Sequence, residues 1–460
     1  FLRYDNFYTG RFDLGNMDQT VWNTINGRIF QTSDYSGKIV SRLSVHADFL
    51  LILLSPFYLI WSHPKMLLLI STIVLSLGAI FVYEIAKNSL KNKTLALTFS
   101  VVYLLFPAVQ YNNLYDFHSV SLATTFLLGA FYFLMRKKYI FMLIFLMLAG
   151  ITKEQVWIII GFFGLYIFFL NKTFSKKSLG LVICLLSFFF SYYLIWHAIP
   201  RAAGKKHFAL AYYSDFGDDP TSIAKNITFS PQKIVEVVLQ KDQVEYLKQL
   251  FGPLGFVSLF SPLYLIFALP DLGINLLSNY PKLHEIYYQY SATITPFIFI
   301  SAIYGTKNLI AIFPKIPKAL YSIYLITFVL YYSYSLGPMP GSKNPNIEML
   351  TRPQKNKEII ENFLTHIPKE YTVSATNNLG SHLSQRQIIT TIPNIIDKAD
   401  IILFLLNADF AQPPVTGHEK MVEGLKNNKN YVEVMSHDGF IVFKKKGITT
   451  SCKLKLEELV

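Results

Sequence analysis

Long apolar runs separated by short, unevenly charged loops set the pattern of the chain. The clearest runs cover residues 66–86, 94–110, 119–135, 155–171 and 178–198, with a shorter one at 139–151. A helix needs about 20 apolar residues to cross a hydrocarbon core, so these runs predict membrane spans. Lys87, Lys91 and Lys93 follow the first run, Arg136, Lys137 and Lys138 the third in chain order, and Lys172, Lys176 and Lys177 the run at 155–171. Every second loop is therefore basic, which predicts that those loops face the cytoplasm and the alternate loops face outward. Two further spans are expected at 286–305 and 318–336, and residues 250–279, interrupted at Ser261-Pro262 and Pro270, read as a down-and-up hairpin.

Parity puts the whole segment before residue 66 outside. Residues 1–65 read as a first extracytoplasmic loop, and an outer first loop implies a transmembrane helix preceding it in the full protein. The apolar stretch Phe49 to Trp61 carries Pro56 and ends at Ser62-His63-Pro64, so it is expected to lie in the interface or re-enter the membrane. Residues 66–336 form the helical core, with a long outer loop at 199–249 that mixes Arg201, Lys205, Lys206, His207, Asp215, Asp218 and Asp219 with aromatic residues. Pro338, Pro340, Gly341, Pro345 and Pro353 mark a linker at 337–354.

Residues 355–460 change pattern. A helix at 355–364 and strands at 371–375, 387–392 and 401–406 precede a helix at 418–427 and a hairpin of 431–435 with 440–444, turned by Ser436-His437-Asp438-Gly439. The fold class expected is an α-helical multi-pass membrane protein with a small C-terminal α/β soluble domain, outside the membrane by the same parity.

Composition supports this and removes other classes. Hydrophobic residues make up 52% of the 460 and charged residues 15%. The net charge of +13 sits largely in the short loops, which assigns it to membrane orientation rather than to nucleic acid. Cys184 and Cys452 are the two cysteines, too few for a disulfide framework or a cysteine metal site. The chain has no P-loop, Rossmann glycine fingerprint, zinc spacing or serine elbow, which argues against soluble nucleotide chemistry.

Candidate chemistry gathers in the outer loops. Asp13 and Asp18 flank Gly15, and a carboxylate beside a flexible glycine can approach a substrate hydroxyl that must lose its proton; the competing role for each is a helix N-cap. Asp116 and His118 sit where the second outer loop re-enters the membrane, two apart, and are either a partial site for a divalent metal (Mg or Mn) or a cap and an interfacial ring. Lys153-Glu154 interrupts the apolar stretch at its outer turn, either to hold a substrate phosphate or to end two helices as a snorkelling pair. Arg42 and His46 offer a phosphate-binding arginine and a second histidine. His284 and Tyr288, before the span containing Pro296, line a sugar or lipid pocket or belong to the interfacial aromatic belt.

Taken in order, Phe12-Asp13-Leu14-Gly15, Asp18-Gln19, Trp22, Arg42 with His46, Asp116-Phe117-His118 and Lys153-Glu154 resemble a bacterial and archaeal family of predicted membrane proteins, domain of unknown function 2079. That family in turn resembles the GT-C superfamily of integral-membrane glycosyltransferases. The resemblance implies a catalytic aspartate in the first outer loop, matched by Asp13, and a second acidic residue in the next, matched by Asp116. It implies sugar transfer from a polyprenyl-phosphate-type lipid donor to an extracytoplasmic acceptor, with membrane lipid as a partner. On that resemblance the base would be Asp13 or Asp18, Asp116 and His118 would position a metal or the acceptor, and Lys153 and Arg42 would meet charge on the departing phosphate. A polar cavity lined by these outer-loop groups would also suit a transporter or flippase for a lipid-linked substrate, or a noncatalytic scaffold.

Overall fold

The computed structural model describes residues 1–205, 208–217, 219–408 and 417–448; Lys206, His207, Asp218 and Cys452 lie outside them. Among the described residues four helices are long and apolar enough to cross a membrane: Lys65–Leu90, Phe174–Ala203, Thr295–Ile312 and Lys318–Leu336. A fifth candidate is the pair Lys93–Leu105 and Pro107–Leu114, bent by 45°. Asn92 opens that pair by accepting from the Leu95 amide at 2.9 Å, and Pro107, with no amide hydrogen to donate, breaks it. Shorter apolar helices cover Ser119–Met135, Tyr139–Gly150 and Val156–Leu170. The stretch expected at the interface is a short helical segment, Leu50–Leu59.

Close helix packing depends on small residues. A Cβ at Gly164 would lie 2.4 Å from the Cys184 amide nitrogen and one at Gly180 would lie 2.7 Å from the Gly164 carbonyl oxygen. This glycine pair lets Val156–Leu170 and Phe174–Tyr193 touch backbone to backbone, the usual device where lipid offers helices no hydrophobic drive to associate.

Two expectations change. Residues 250–279 do not form a spanning hairpin. They form short 3-10 turns at Gly252–Leu254, Val257–Phe260 and Pro262–Phe267, then the helix Leu269–Leu276. Pro253, Gly255, Pro262 and Pro270 break every helical run before it reaches spanning length. The carbonyls so released are satisfied from two neighbouring helices: Ser301 Oγ donates to Ser258 and Ser261, Asn308 Nδ2 to Phe260 and Tyr324 OH to Gly255, all at 2.6–2.9 Å. Irregular backbone is tolerated at membrane depth under this condition. The long loop is also largely helical, with Pro220–Phe229, Pro231–Val238 and Lys241–Phe251. Ile223 and Val237 bury there against Phe216, an amphipathic pattern that its many charges obscure in the sequence.

The C-terminal domain carries a five-stranded sheet. Its parallel strands Ile389–Thr391, Val373–Ala375 and Ile401–Leu405 lie in that order, followed by antiparallel Phe440–Lys445 and Tyr431–His437. Helices Lys357–Thr365 and His418–Lys426 pack Ile360, Phe363, Val422 and Leu425 onto it.

The first loop binds this domain to the helices. Phe7 enters the core of the sheet domain beside Ile360, Phe363 and Leu383. Tyr4, Leu14, Met17 and Val21 pack in the opposite direction, with Leu51, Tyr58, Leu67, Phe117 and Leu122. His382 of the sheet domain stacks between Tyr4 and Phe7, with ring centroids 4.0 and 4.2 Å away, and donates to the Tyr4 carbonyl at 3.0 Å. Burial pushes this histidine down to about 3, so it is a neutral packing ring. A cavity of about 770 Å³ opens where loop, helices and sheet domain meet.

Candidate active site

The loop Arg11–Gly15 is a single π-helical turn that runs directly into the helix Asn16–Ile25. It is clamped from two sides. Asp116 Oδ2 accepts from the Gly10 amide at 2.8 Å, and Asn377 Oδ1, from the sheet domain, accepts from the Phe12 amide at 3.1 Å. The approach is close enough that a Cβ at Gly380 would lie 2.3 Å from Arg11 Cβ. Arg11 itself reaches Asn16, Gln19 Oε1 at 2.6 Å and Ser33 Oγ at 3.2 Å, and Gln19 Nε2 continues to the carbonyls of Arg386 and Gln387 at 2.9 Å. Burial, with repulsion from Arg42, lowers Arg11 to about 9.

This clamp leaves Asp13 at the cavity wall. His118 Nε2 donates to Asp13 Oδ1 at 3.0 Å, and Tyr115 OH donates to Oδ2 at 3.2 Å. The Tyr115 ring is stacked on that of His118, 9° from parallel. Asp13 nevertheless keeps 30% of its side-chain surface exposed and faces the cavity together with His118. Burial acts to raise its pKa, but attraction from His118, with the His118 and Tyr115 hydrogen bonds, outweighs that and holds Asp13 below the usual carboxylate range. A carboxylate that is ionised, oriented and reachable can accept a proton from a bound hydroxyl.

The other two proposed acids sit elsewhere. Asp18 is fully buried and does not line the cavity. It accepts from Tyr58 OH at 2.5 Å, from Ser384 Oγ at 2.6 Å and from Gln385 Nε2 at 3.3 Å, joining membrane side to sheet domain. Burial outweighs these hydrogen bonds and raises it to about 6. Asp116 lies behind the loop: Oδ2 takes the Gly10 amide, and Oδ1 is buried without a hydrogen-bond partner. Burial, opposed by Arg3 and reinforced by the charge on Asp13, raises Asp116 to about 6.

The proposed binding residues also divide. Arg42, His46, Lys153 and Glu154 line the same cavity as Asp13 and His118. Arg42 is already paired with Asp48 at 2.9 Å, both side chains buried. Glu154 does not pair with Lys153; it takes His46 Nδ1 at 2.9 Å and the Ala47 amide at 3.0 Å, fixing that loop. Lys153 extends over the face of Tyr290, its Nζ 5.8 Å from the ring centroid. His284 and Tyr288 are buried away from the cavity wall, Tyr288 edge-on to Tyr115 at 5.3 Å.

The donor set does not suit a metal held by Asp116 and His118. His118 points its Nδ1 at the Asp116 carbonyl at 3.1 Å and its Nε2 at Asp13, which uses both ring nitrogens. Among the described residues no group of three or more His, Cys, Asp or Glu side chains is placed to hold an ion.

The sequence pattern assigns no role to Tyr115, although it immediately precedes Asp116-Phe117-His118, nor to Asn377. Asn377 carries no sequence signal, because its contact to Phe12 joins positions 365 residues apart.

Apolar helices and a small C-terminal sheet domain that close on a cavity with a clamped carboxylate define a multi-pass α-helical membrane protein with a small C-terminal α/β domain. The family described as predicted membrane protein (DUF2079) matches residues 3–442, and the chain belongs to it. No curated protein matches the chain. Among solved structures it is similar to the archaeal oligosaccharyltransferase AglB from Archaeoglobus fulgidus, determined with an inhibitory peptide and a dolichol-phosphate. The identity is 12% and the TM-score 0.43, and the match covers 84% of this chain and 61% of that one.

Proposed function

We propose that this protein is a GT-C-like glycosyltransferase. It moves a sugar from a polyprenyl-phosphate-type lipid donor to an acceptor at the extracytoplasmic face of the cell membrane. The observation that supports this best is Asp13: an ionised carboxylate, oriented by His118 and Tyr115 yet still exposed, facing the cavity that Lys153 also lines. The basic loops at Lys87–Lys93, Arg136–Lys138 and Lys172–Lys177 support the orientation, since they end up cytoplasmic when the cavity is outside.

In the reaction the acceptor oxygen forms a bond to the anomeric carbon as the bond from that carbon to the phosphate oxygen breaks. The acceptor proton passes to Asp13, and the negative charge that develops on the leaving phosphate is met by Lys153. Charge stabilisation aimed at the leaving group is commonly the larger catalytic contribution. His118 and Tyr115 hold the carboxylate in line and keep it ionised, and Asp116 fixes the loop through Gly10. Arg42 and His46, tied to Asp48 and Glu154, shape the cavity wall. No step here depends on a metal.

The test is sugar transfer from lipid-linked donors by the full chain in membranes. D13N is expected to abolish transfer while the protein still inserts and folds. Undiminished transfer by D13N would overturn the reading.

A further inference from the structure

Arg11, Arg42, Lys153 and Lys205 line the cavity, and Lys282 sits between two residues that do, Tyr280 and Leu283. Arg11 and Arg42 are committed, Arg11 to Asn16, Gln19 and Ser33 and Arg42 to Asp48. Lys153 and Lys282 have no ion-pair partner among the described residues; each is held instead against the face of a tyrosine. Lys153 Nζ lies 5.8 Å from the centroid of Tyr290, and Lys282 Nζ lies 5.3 Å from that of Tyr288. The two tyrosines belong to one segment, Tyr287 to Tyr290. Tyr288 packs edge-on against Tyr115, which donates to Asp13, so the chain of contacts from Lys282 ends at the proposed base. Tyr280 and Leu283, on either side of Lys282 in the chain, line the cavity.

An aromatic face orients an ammonium group without pairing its charge. A carboxylate partner, as Asp48 is for Arg42, would cancel it. Two cations without an ion-pair partner among the described residues, Lys153 on the cavity wall and Lys282 beside it, form a receptor for a small dianion. They also supply what the donor set at Asp116 and His118 lacks, because positive charge then reaches the cavity without a metal ion.

We propose that Lys153 and Lys282 form a metal-independent clamp for a phosphate group, that of the lipid donor. The proposal deepens the glycosyltransferase reading and rests on it for the identity of the phosphate. A polyprenyl-phosphate sugar carries one negative charge on its phosphodiester. When the bond to the sugar breaks, the electron pair stays with the phosphate oxygen and the polyprenyl phosphate leaves with a second charge. The second lysine is matched to that product, so the clamp holds the leaving group more tightly than the donor.

The probe is farnesyl phosphate, a short lipid monophosphate, titrated into the purified full chain in nanodiscs by calorimetry, with inorganic phosphate as a separate arm. Farnesyl phosphate is expected to bind equally in EDTA and in magnesium. K153A and K282A should each weaken it at least tenfold, and K282R should restore binding to within about threefold. The arginine variant guards against a folding defect, since a merely structural lysine would not be rescued by retained charge alone. Binding that requires magnesium, or K282A binding as wild type, would overturn the clamp. Inorganic phosphate binding as tightly as farnesyl phosphate would overturn the lipid assignment. The glycosyltransferase reading fails separately: a wild-type chain that binds the probe but transfers no sugar sinks that reading and leaves the clamp standing.

Discussion

Asp13 and Asp18 leave the same short stretch of backbone in opposite directions. Asp13, on the π-helical turn, reaches the cavity and is held by His118 and Tyr115 with 30% of its side chain still exposed. Asp18, in the first turn of the following helix, is fully buried and closed off by Tyr58, Ser384 and Gln385. One carboxylate is pushed below its ordinary range by a neighbouring histidine, and the other is pushed up to about 6 by burial. The residue type is the same, so the partners and the remaining solvent contact decide which can do chemistry. On the proposed reading the first serves the reaction, while the second ties the sheet domain to the helical core.

The largest effect that would sharpen this contrast is on turnover. D13N should lower transfer by roughly 10²–10⁴-fold, the usual contribution of a positioned general base, whereas D18N should stay within about tenfold of wild type. H118A should follow Asp13, by about tenfold to a hundredfold, because it removes the donor that orients and ionises the base. Transfer rates in reconstituted membranes check all three.

Stability should separate the pair in the other direction. D18A removes the acceptor for three hydrogen bonds in a fully buried site, and stranded buried donors cost about 1–3 kcal/mol each. D18A should therefore lower the melting temperature in detergent clearly, while D13A, with its exposed edge, should change it little.

The pH dependence gives a smaller effect with a definite sign. An acid whose folded pKa lies above its unfolded value binds its proton more tightly when folded. The stabilisation is fully present below the unfolded value near 4 and is lost as pH rises through about 6 for both Asp18 and Asp116. Wild-type melting temperature should thus fall between pH 4 and 7, and D18N combined with D116N should flatten that slope. Asp13 has the opposite shift, so the loss of transfer caused by protonating it should begin only below the ordinary carboxylate range.

The smallest effect tests the clamp on the loop. N377A should reduce the maximal rate about tenfold with little change in donor affinity, by releasing the Phe12 amide that positions Asp13. Equal losses in rate and affinity would mean that Asn377 supports the cavity as a whole instead.

Much of this was legible in the sequence because hydrophobic runs and loop charge are local signals. The helices at Lys65–Leu90 and Lys318–Leu336 follow directly from run length, and the C-terminal strands from apolar runs bounded by turns. Residues 250–279 were misread because a broken apolar run is ambiguous until the groups that satisfy its carbonyls, Ser301, Asn308 and Tyr324, are known. The site was half legible. Motif and parity brought Asp13, His118, Lys153, Glu154, Arg42 and His46 to one side, and all six line one cavity. The division between Asp13 and Asp18 could not be read, because it depends on Ser384 and Gln385, which lie far along the chain in the sheet domain. Lys282 sits in Pro281-Lys282-Leu283-His284, one position from a lining residue, and only the tyrosine beneath it distinguishes it from any interfacial lysine.

The most direct test of the central claim is the rate of sugar transfer from a polyprenyl-phosphate donor by D13N and D18N, measured side by side in matched membranes at equal folded protein. Loss of transfer in D13N with substantial transfer retained in D18N is the predicted result. Equal activity in the two, or loss confined to D18N, would contradict it.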